Sequence, residues 1–470
     1  MTPLTYVSTR GQAPELGFAD VLLAGLARDG GLYVPEHWPT LPISAFQRFA
    51  TMSYADVAVE VMWPFVEGAI DRDAFAAIVA DSYATFDTDE VVPLTDLGDG
   101  IWLAELFHGP TLAFKDIALQ LVGRLFDHEL SRRGEKVTVV GATSGDTGSA
   151  AIEALRDRDS AEVFILHPAG RVSDVQRRQM TTVTAPNVHN IAVEGTFDDC
   201  QDLVKALFAD DSFRDTRNLS AVNSINWARV MAQIVYYVTT TTRLGGGAGH
   251  PVAFSVPTGN FGNVFAGYGA QRMGTPISQF IVASNRNDIL TQFLTTGTMT
   301  IGEVHPTLSP SMDIQVSSNL ERLLFEIHGR NGAAIAEMMA RFRSEGTVSV
   351  DAGRLDLLAE HWSAGRVDDA RTSATIATLF AERGVLLDPH TAVGLAAALD
   401  ARADRSVPMV VLGTAHPAKF PAAVEAASGV HPALPDRLSD LFDRPEHYTT
   451  VADDYISVRT LIENTLDGES

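Results

Sequence analysis

Ser255-Val256-Pro257-Thr258-Gly259-Asn260-Phe261-Gly262-Asn263 decides how this chain folds. It closes an apolar β-type run, Val252–Val256, with a turn bracketed by two glycines, and a helical segment, Val264–Met273, follows. The same grammar recurs upstream. Lys136–Gly141 reads as a buried strand, Gly141-Ala142-Thr143-Ser144-Gly145-Asp146-Thr147-Gly148 as its turn, and Asp146–Arg156 as the next helix. Ala161–His167 and Pro408–Leu412 are further strand-like runs, and Asp198–Ala209 is a further helix. Strands bounded by glycine turns and separated by helices predict an α/β fold with a mostly parallel sheet. The run Gly245-Gly246-Gly247-Ala248-Gly249 reads as a flexible break before the Val252 strand.

Outward from this core, residues 1–90 look helical and weakly patterned, as in Phe18–Arg28 and Tyr54–Phe65, with the turn-rich Asp29-Gly30-Gly31-Leu32-Tyr33-Val34-Pro35 between them. A second region opens near Val91 with the strand-like Ile101–Leu106 and runs to about 427. The tail 428–470 mixes helical and loop-like stretches and carries no evident chemistry. The 470 residues are 46% hydrophobic, ample for a sizeable core. Acidic residues outnumber basic ones 59 to 35, a net charge of −24, which repels phosphate backbones and anionic lipid and argues against nucleic acid and membrane partners. Cys200 is the only cysteine, so no internal disulfide or cysteine metal site is available, as suits a reducing cytoplasm. Met1–Gly11 lacks the pattern of a secretory signal, and no run of eighteen apolar residues occurs.

Ligands of open α/β sheets collect at the carboxyl ends of strands. The loop Gly259–Asn263 can cradle a phosphate on neutral amides; it matches neither the P-loop nor the dinucleotide fingerprint. The loop Thr143–Gly148 is either a capped strand–helix turn or a second anion loop. The third loop, Gly413-Thr414-Ala415-His416-Pro417, offers the Thr414 hydroxyl to a ligand or to a turn, and His416 is equally structural or functional. Only four of the thirty-five basic residues are lysines: Lys115, Lys136, Lys205 and Lys419. Lys136 reads as a solvated strand edge and Lys205 as half of a surface helix pair. Lys419 is exposed or leans on a site. Lys115 differs, standing near the start of a helix that runs to about Arg133, with Leu112, Ala118 and Leu119 on its face. Such a lysine must snorkel, pair or lose its proton readily, and the last is what covalent chemistry with an aldehyde needs. Lysine, neutral cradle and second amide loop together fit a phosphorylated aldehyde cofactor, pyridoxal 5'-phosphate.

Phe107-His108-Gly109-Pro110-Thr111-Leu112-Ala113-Phe114-Lys115-Asp116 resembles the cofactor-lysine segment of threonine synthases. Asp29–Pro35, Ala142–Gly148, Asn223–Asn226, Ser255–Asn263 and Gly413–Phe420 match in family order and spacing, so the resemblance spans about Tyr6 to Phe420 and favours the long bacterial and fungal form. It implies the tryptophan-synthase β-like fold (fold type II), with two α/β domains, the cofactor in their cleft, and an N-terminal helical domain. It also implies a carbon–oxygen lyase that converts O-phospho-L-homoserine and water to L-threonine and phosphate. Lys115 is then the Schiff-base lysine, Gly259, Asn260, Phe261, Gly262 and Asn263 the phosphate cradle, and Thr414 the partner of the pyridine nitrogen. Thr143, Ser144, Gly145, Asp146 and Thr147 receive the substrate's carboxylate. Asn223, Ser224, Asn226 and Arg229, with the loop His305–Asp313, are candidates for its phosphate. A monomer and a homodimer fit the sequence equally.

Overall fold

The computed structural model describes residues 3–221, 224–245 and 249–468, so Asn223 and the linker residues Gly246, Gly247 and Ala248 lie outside the described residues. The chain forms two compact units, Met1–Ala118 with Ser224–Pro432 and Leu119–Asn223 with Ala433–Ser470.

The first unit is built on a six-stranded sheet in the order Trp362–Arg366, Ile277–Ser284, Val252–Pro257, Met409–Gly413, Ile101–Glu105, Leu94–Gly98. Every pairing is parallel except the last. Its inner strands Val252–Pro257 and Met409–Gly413 are buried along their whole length because helices cover them, while the edge strands carry polar residues. Val411, Ile281 and Leu103 pack against Ile376 and Leu395 of the helices Asp369–Arg383 and Pro389–Ala401. The Pro389–Ala401 helix lies close on the sheet at Gly394, where a Cβ would stand 3.0 Å from Pro257.

The N-terminal residues belong to this unit. Tyr6–Ser8 pairs antiparallel with Tyr33–Pro35. Asp29 closes the turn before it, accepting from the backbone amides of Gly31, Gln12 and Ala13 and from the Ser8 hydroxyl. Arg10 then forms a two-point ion pair with the buried Glu321, 311 residues away.

The second unit holds a five-stranded sheet in the order Thr449–Ala452, Val188–Glu194, Ala161–Pro168, Val137–Ala142, Leu219–Ser220, all parallel. The tail has a definite job in it. Its strand Thr449–Ala452 extends the sheet, and the helix Tyr455–Asp467 buries Val458 and Ile462, one turn apart, against Phe164, Cys200 and Leu203. Burial pushes the Cys200 thiol up to about 12, so it stays protonated as core filling.

Removing the tail's anchor measures this packing. Ile462→Ala is expected to cost roughly 3 kcal/mol, read as a lower urea midpoint for this unit. A midpoint unchanged within error shows the tail helix to be dispensable.

Candidate active site

Lys115 opens the helix Lys115–Arg133 and is 8% exposed. The loop before it is held at many points. Leu112 takes a left-handed backbone, φ 63°, a costly conformation for a branched side chain. The buried Asp116 carboxylate accepts from the Thr111 amide at 2.8 Å and the Thr111 hydroxyl at 2.7 Å. Across from it, Gly413–Lys419 zips onto the loop. The Phe114 amide donates to the Thr414 carbonyl at 2.9 Å, and the His416 amide to the Leu112 carbonyl at 3.0 Å. Lys419, wholly buried, donates from Nζ to the Thr111 carbonyl at 2.6 Å. Lys419 therefore leans on the lysine loop, while Lys205 pairs with Asp202 on the surface and Lys136 is exposed. His416 caps the short turn Pro417–Lys419, accepting from the Ala418 amide at Nδ1.

Thr414 sits at the end of its strand, 6% exposed. Its amide donates to the Thr391 hydroxyl at 3.1 Å, and Thr391 in turn donates to Asp388. Asp388 also accepts from Nδ1 of His390 at 2.8 Å, and Nε2 of His390 accepts from the Ser311 amide at 3.2 Å. With Nε2 accepting, Nδ1 is the nitrogen that donates to Asp388. The Ser311 carbonyl lies where a Cβ on Gly259 would stand, at 2.6 Å, so only glycine fits there. A chain of polar contacts thus runs from the lysine loop to Ser311, whose carbonyl abuts Gly259 of the cradle.

In the cradle, Phe261 is left-handed, φ 63°, and precedes the helix Gly262–Arg272, which begins without a side-chain cap. Its first amides and the positive end of the helix dipole favour an anion. The loop is braced from behind. The amide and side chain of Asn319 both donate to the Asn260 carbonyl, at 3.1 and 2.8 Å, and Ser317 donates to the Gly259 carbonyl at 2.7 Å. Asn319 is gripped by the fully buried Arg322, which also donates to the carbonyls of Tyr33 and Ile225. Burial pushes Arg322 down to about 9. Asn263 completes the cradle. Its Oδ1 accepts from the Tyr236 and Tyr237 hydroxyls, and its Nδ2 is buried with no protein partner among the described residues. An unspent buried donor beside uncapped amides fits the phosphate of pyridoxal phosphate.

The substrate candidates divide. Thr143 is buried and spends its hydroxyl on the amides of Gly145 and Gly148, both at 2.9 Å, so it shapes its loop. Asp146 is buried and accepts from Gln176 at 2.8 Å. Ser144 is exposed and Thr147 half-buried, and the helix Asp146–Leu155 starts at Gly145 without a side-chain cap. Asn226 caps the helix Trp227–Arg243 and donates to the Leu22 carbonyl, while the Ser224 carbonyl accepts from Asn319. Arg229 is buried with Nε and one terminal nitrogen unpaired among the described residues, and burial pushes it down to about 10. In the loop His305–Asp313, Asp313 accepts from Thr307 and from the buried Asn285 and Asn287. Asp388, His390, Tyr236 and Tyr237 were not singled out in the sequence. Asp388-Pro389-His390-Thr391 looks like an ordinary helix cap, and only the fold shows what it holds.

Fold and site define a fold-type-II, pyridoxal-phosphate-dependent enzyme, and the model of the family "Pyridoxal-phosphate dependent enzyme" matches residues 90–353. Those named "Threonine synthase N terminus" and "Threonine synthase, C-terminal" match residues 5–83 and 391–462. Threonine synthase from Pseudomonas aeruginosa is 55% identical over 98% of both chains, and that from Corynebacterium glutamicum 42% identical over 99% of this chain and all of its own. The crystal structure of threonine synthase from Brucella melitensis with bound pyridoxal phosphate is 50% identical, with a TM-score of 0.96 over 98% of this chain and 99% of that one. The chain belongs to the threonine synthase family. Its cofactor is pyridoxal phosphate and its substrate a small molecule.

One cluster on the lysine loop titrates. His108 bridges Asp87 and Glu105, each at 2.8 Å. Burial alone would lower its pKa, but the hydrogen bonds and charges of the two carboxylates outweigh burial and raise it. Burial likewise pushes Glu105 up, and its bonds to His108 and Thr95 overcome that and lower it. A raised histidine stabilises fully below its unfolded value of about 6.5 and loses that contribution as pH rises through the folded value. The Glu105 contribution is present above about 4.3 and is lost as pH falls through its lower folded value. His108→Gln should therefore lower the melting temperature at about pH 6, with the difference shrinking as pH rises. A difference constant with pH would refute the ion-pair account.

Proposed function

We propose that this chain converts O-phospho-L-homoserine and water to L-threonine and phosphate, with Lys115 as the cofactor-bearing lysine. The observation that carries the reading is the frame joining the lysine loop to a neutral anion cradle within one unit. Joined to Lys115 through its aldehyde, pyridoxal phosphate supplies an electron sink for charge developing on the substrate's carbons. Gly259, Asn260, Phe261, Gly262 and Asn263 hold the cofactor's phosphate through amides, and Thr414 offers the ring nitrogen a neutral hydroxyl. Lys115 Nζ, once released, takes the proton from the substrate's Cα as general base. The net change requires loss of phosphate from Cγ, a proton delivered to Cγ, a proton lost from Cβ, and hydroxide from water added at Cβ. Ser144, Gly145 and Thr147 are assigned to the substrate's carboxylate, with Thr143 and Asp146 shaping their loop. Arg229, with Asn223, Ser224 and Asn226, is assigned to the substrate's phosphate; its unpaired buried guanidinium supports this, since a desolvated cation gains most from an anion.

We divide the chain functionally into an N-terminal region 1–90, a catalytic core 91–427 and a tail 428–470, and place the enzyme in the cytoplasm. No helix among the described residues is long and apolar enough to cross a membrane.

Lys115→Ala is expected to lower phosphate release from O-phospho-L-homoserine by at least about a thousandfold; retained activity ends the proposal. Release of 2-oxobutyrate without threonine would make the enzyme a phospho-lyase instead. Arg229→Met should raise KM about tenfold or more without lowering the melting temperature, because it removes an unpaired buried charge. An unchanged KM would remove Arg229 from the substrate's phosphate site.

A further inference from the structure

Asn263 reaches the cradle from the first turn of its helix, and one turn later on the same face stands Gly267. A Cβ on Gly267 would lie 2.7 Å from the ring of Tyr237 and from that of Phe280. The missing side chain lets the Tyr237 ring lie against the helix. There it meets Phe254 edge-on at 4.8 Å and lies beside Tyr236 at 4.9 Å. Both tyrosines come from the helix Trp227–Arg243 and are fully buried. Their hydroxyls converge on one atom: Tyr236 donates to Oδ1 of Asn263 at 2.5 Å and Tyr237 at 3.0 Å, the latter also reaching the Asn263 carbonyl at 3.0 Å. Burial raises both phenols well above their usual range, so each keeps the proton it donates.

A carboxamide has one accepting and one donating end, and either can face an anion until something orients it. Two phenols at Oδ1 leave Nδ2 as the end available to an anion; the reverse orientation would offer an anion carbonyl lone pairs instead. We propose that Tyr236 and Tyr237 are positioning residues that orient the Asn263 carboxamide so that its Nδ2 donates to the cofactor's phosphate. The inference rests on the assignment of Gly259–Asn263 as the phosphate cradle, and it adds a selective filter for phosphorylated over unphosphorylated aldehyde.

The test compares pyridoxal 5'-phosphate with pyridoxal, which has the same aldehyde and ring but no phosphate. Apoenzyme is titrated with each, and Kd is read from the absorbance of the lysine-bound form for wild type, Tyr236→Phe, Tyr237→Phe, the double variant and Asn263→Ala. The double variant is expected to raise Kd for pyridoxal phosphate roughly tenfold and leave Kd for pyridoxal unchanged. Asn263→Ala should erase the same selectivity, and adding the tyrosine changes to it should cost nothing further. Equal weakening of both ligands would mean that the tyrosines only support the fold, and would overturn the inference. So would full selectivity in the double variant, with the cradle assignment left standing. Equal affinity of the wild type for both ligands would remove the cradle assignment itself, and this inference with it.

Discussion

An anion loop built from neutral groups is the constraint on which the rest of this site depends. A lysine or arginine can follow its partner on a flexible stem, but amides bind an anion well only when their dipoles are already aimed. The cost of aiming is paid in backbone geometry. Phe261 is left-handed, Gly259 has no room for a side chain, and the helix Gly262–Arg272 is left uncapped. Each is unfavourable alone and persists because the surroundings over-determine it. Asn319, Ser317 and Ser311 brace the loop from outside, and Arg322 ties Asn319 to the N-terminal residue Tyr33. The N-terminal residues thereby become part of the cradle's support within the same unit.

The same logic runs through the other half of the frame. Asp388 gathers Thr391 and His390, which fix Thr414 and Ser311 respectively. One buried carboxylate thus sets both the residue assigned to the cofactor ring and a residue behind the phosphate loop. Asp116 does the equivalent for the lysine loop through Thr111. Buried carboxylates satisfied by several donors are rigid, and here they are spent on geometry, whereas the assigned ligand-facing groups are amides, hydroxyls, one amine and one guanidinium.

Much of this was legible in the sequence wherever a signal was local. The helix with Lys115 near its start ends at Arg133 as expected, and the strand Val252–Pro257 and the helix Asp146–Leu155 agree with their expected bounds to within one residue, because glycine turns and apolar runs mark them. The family resemblance followed from loops that carry chemistry. What stayed hidden depends on residues distant in the chain. His390 and Ser311 are 79 positions apart and Arg10 and Glu321 are 311 apart. Tyr236 and Tyr237 sit in a helix buried on every side, where nothing local distinguishes an orienting tyrosine from core filling. The tail reads only as a mix of helical and loop-like stretches because the partners of its four-residue edge strand and of its apolar helix face lie far away in the chain.

The scarcity of lysine takes its meaning from the same frame. Of four lysines, only Lys115 and Lys419 are buried, and both act on the loop Thr111–Asp116, one from within it and one by donating to the Thr111 carbonyl. Lysine and arginine differ here in shape: a compact ammonium on a thin stem fits beside a single carbonyl, whereas a planar guanidinium demands several partners in a fixed fork. Arg322 meets that demand with two backbone carbonyls and the Asn319 side chain. Arginines such as Arg10 and Arg322 therefore serve multipoint pairing and bracing in a chain of net charge −24, and lysine is retained in the core at two points, Lys115 and Lys419.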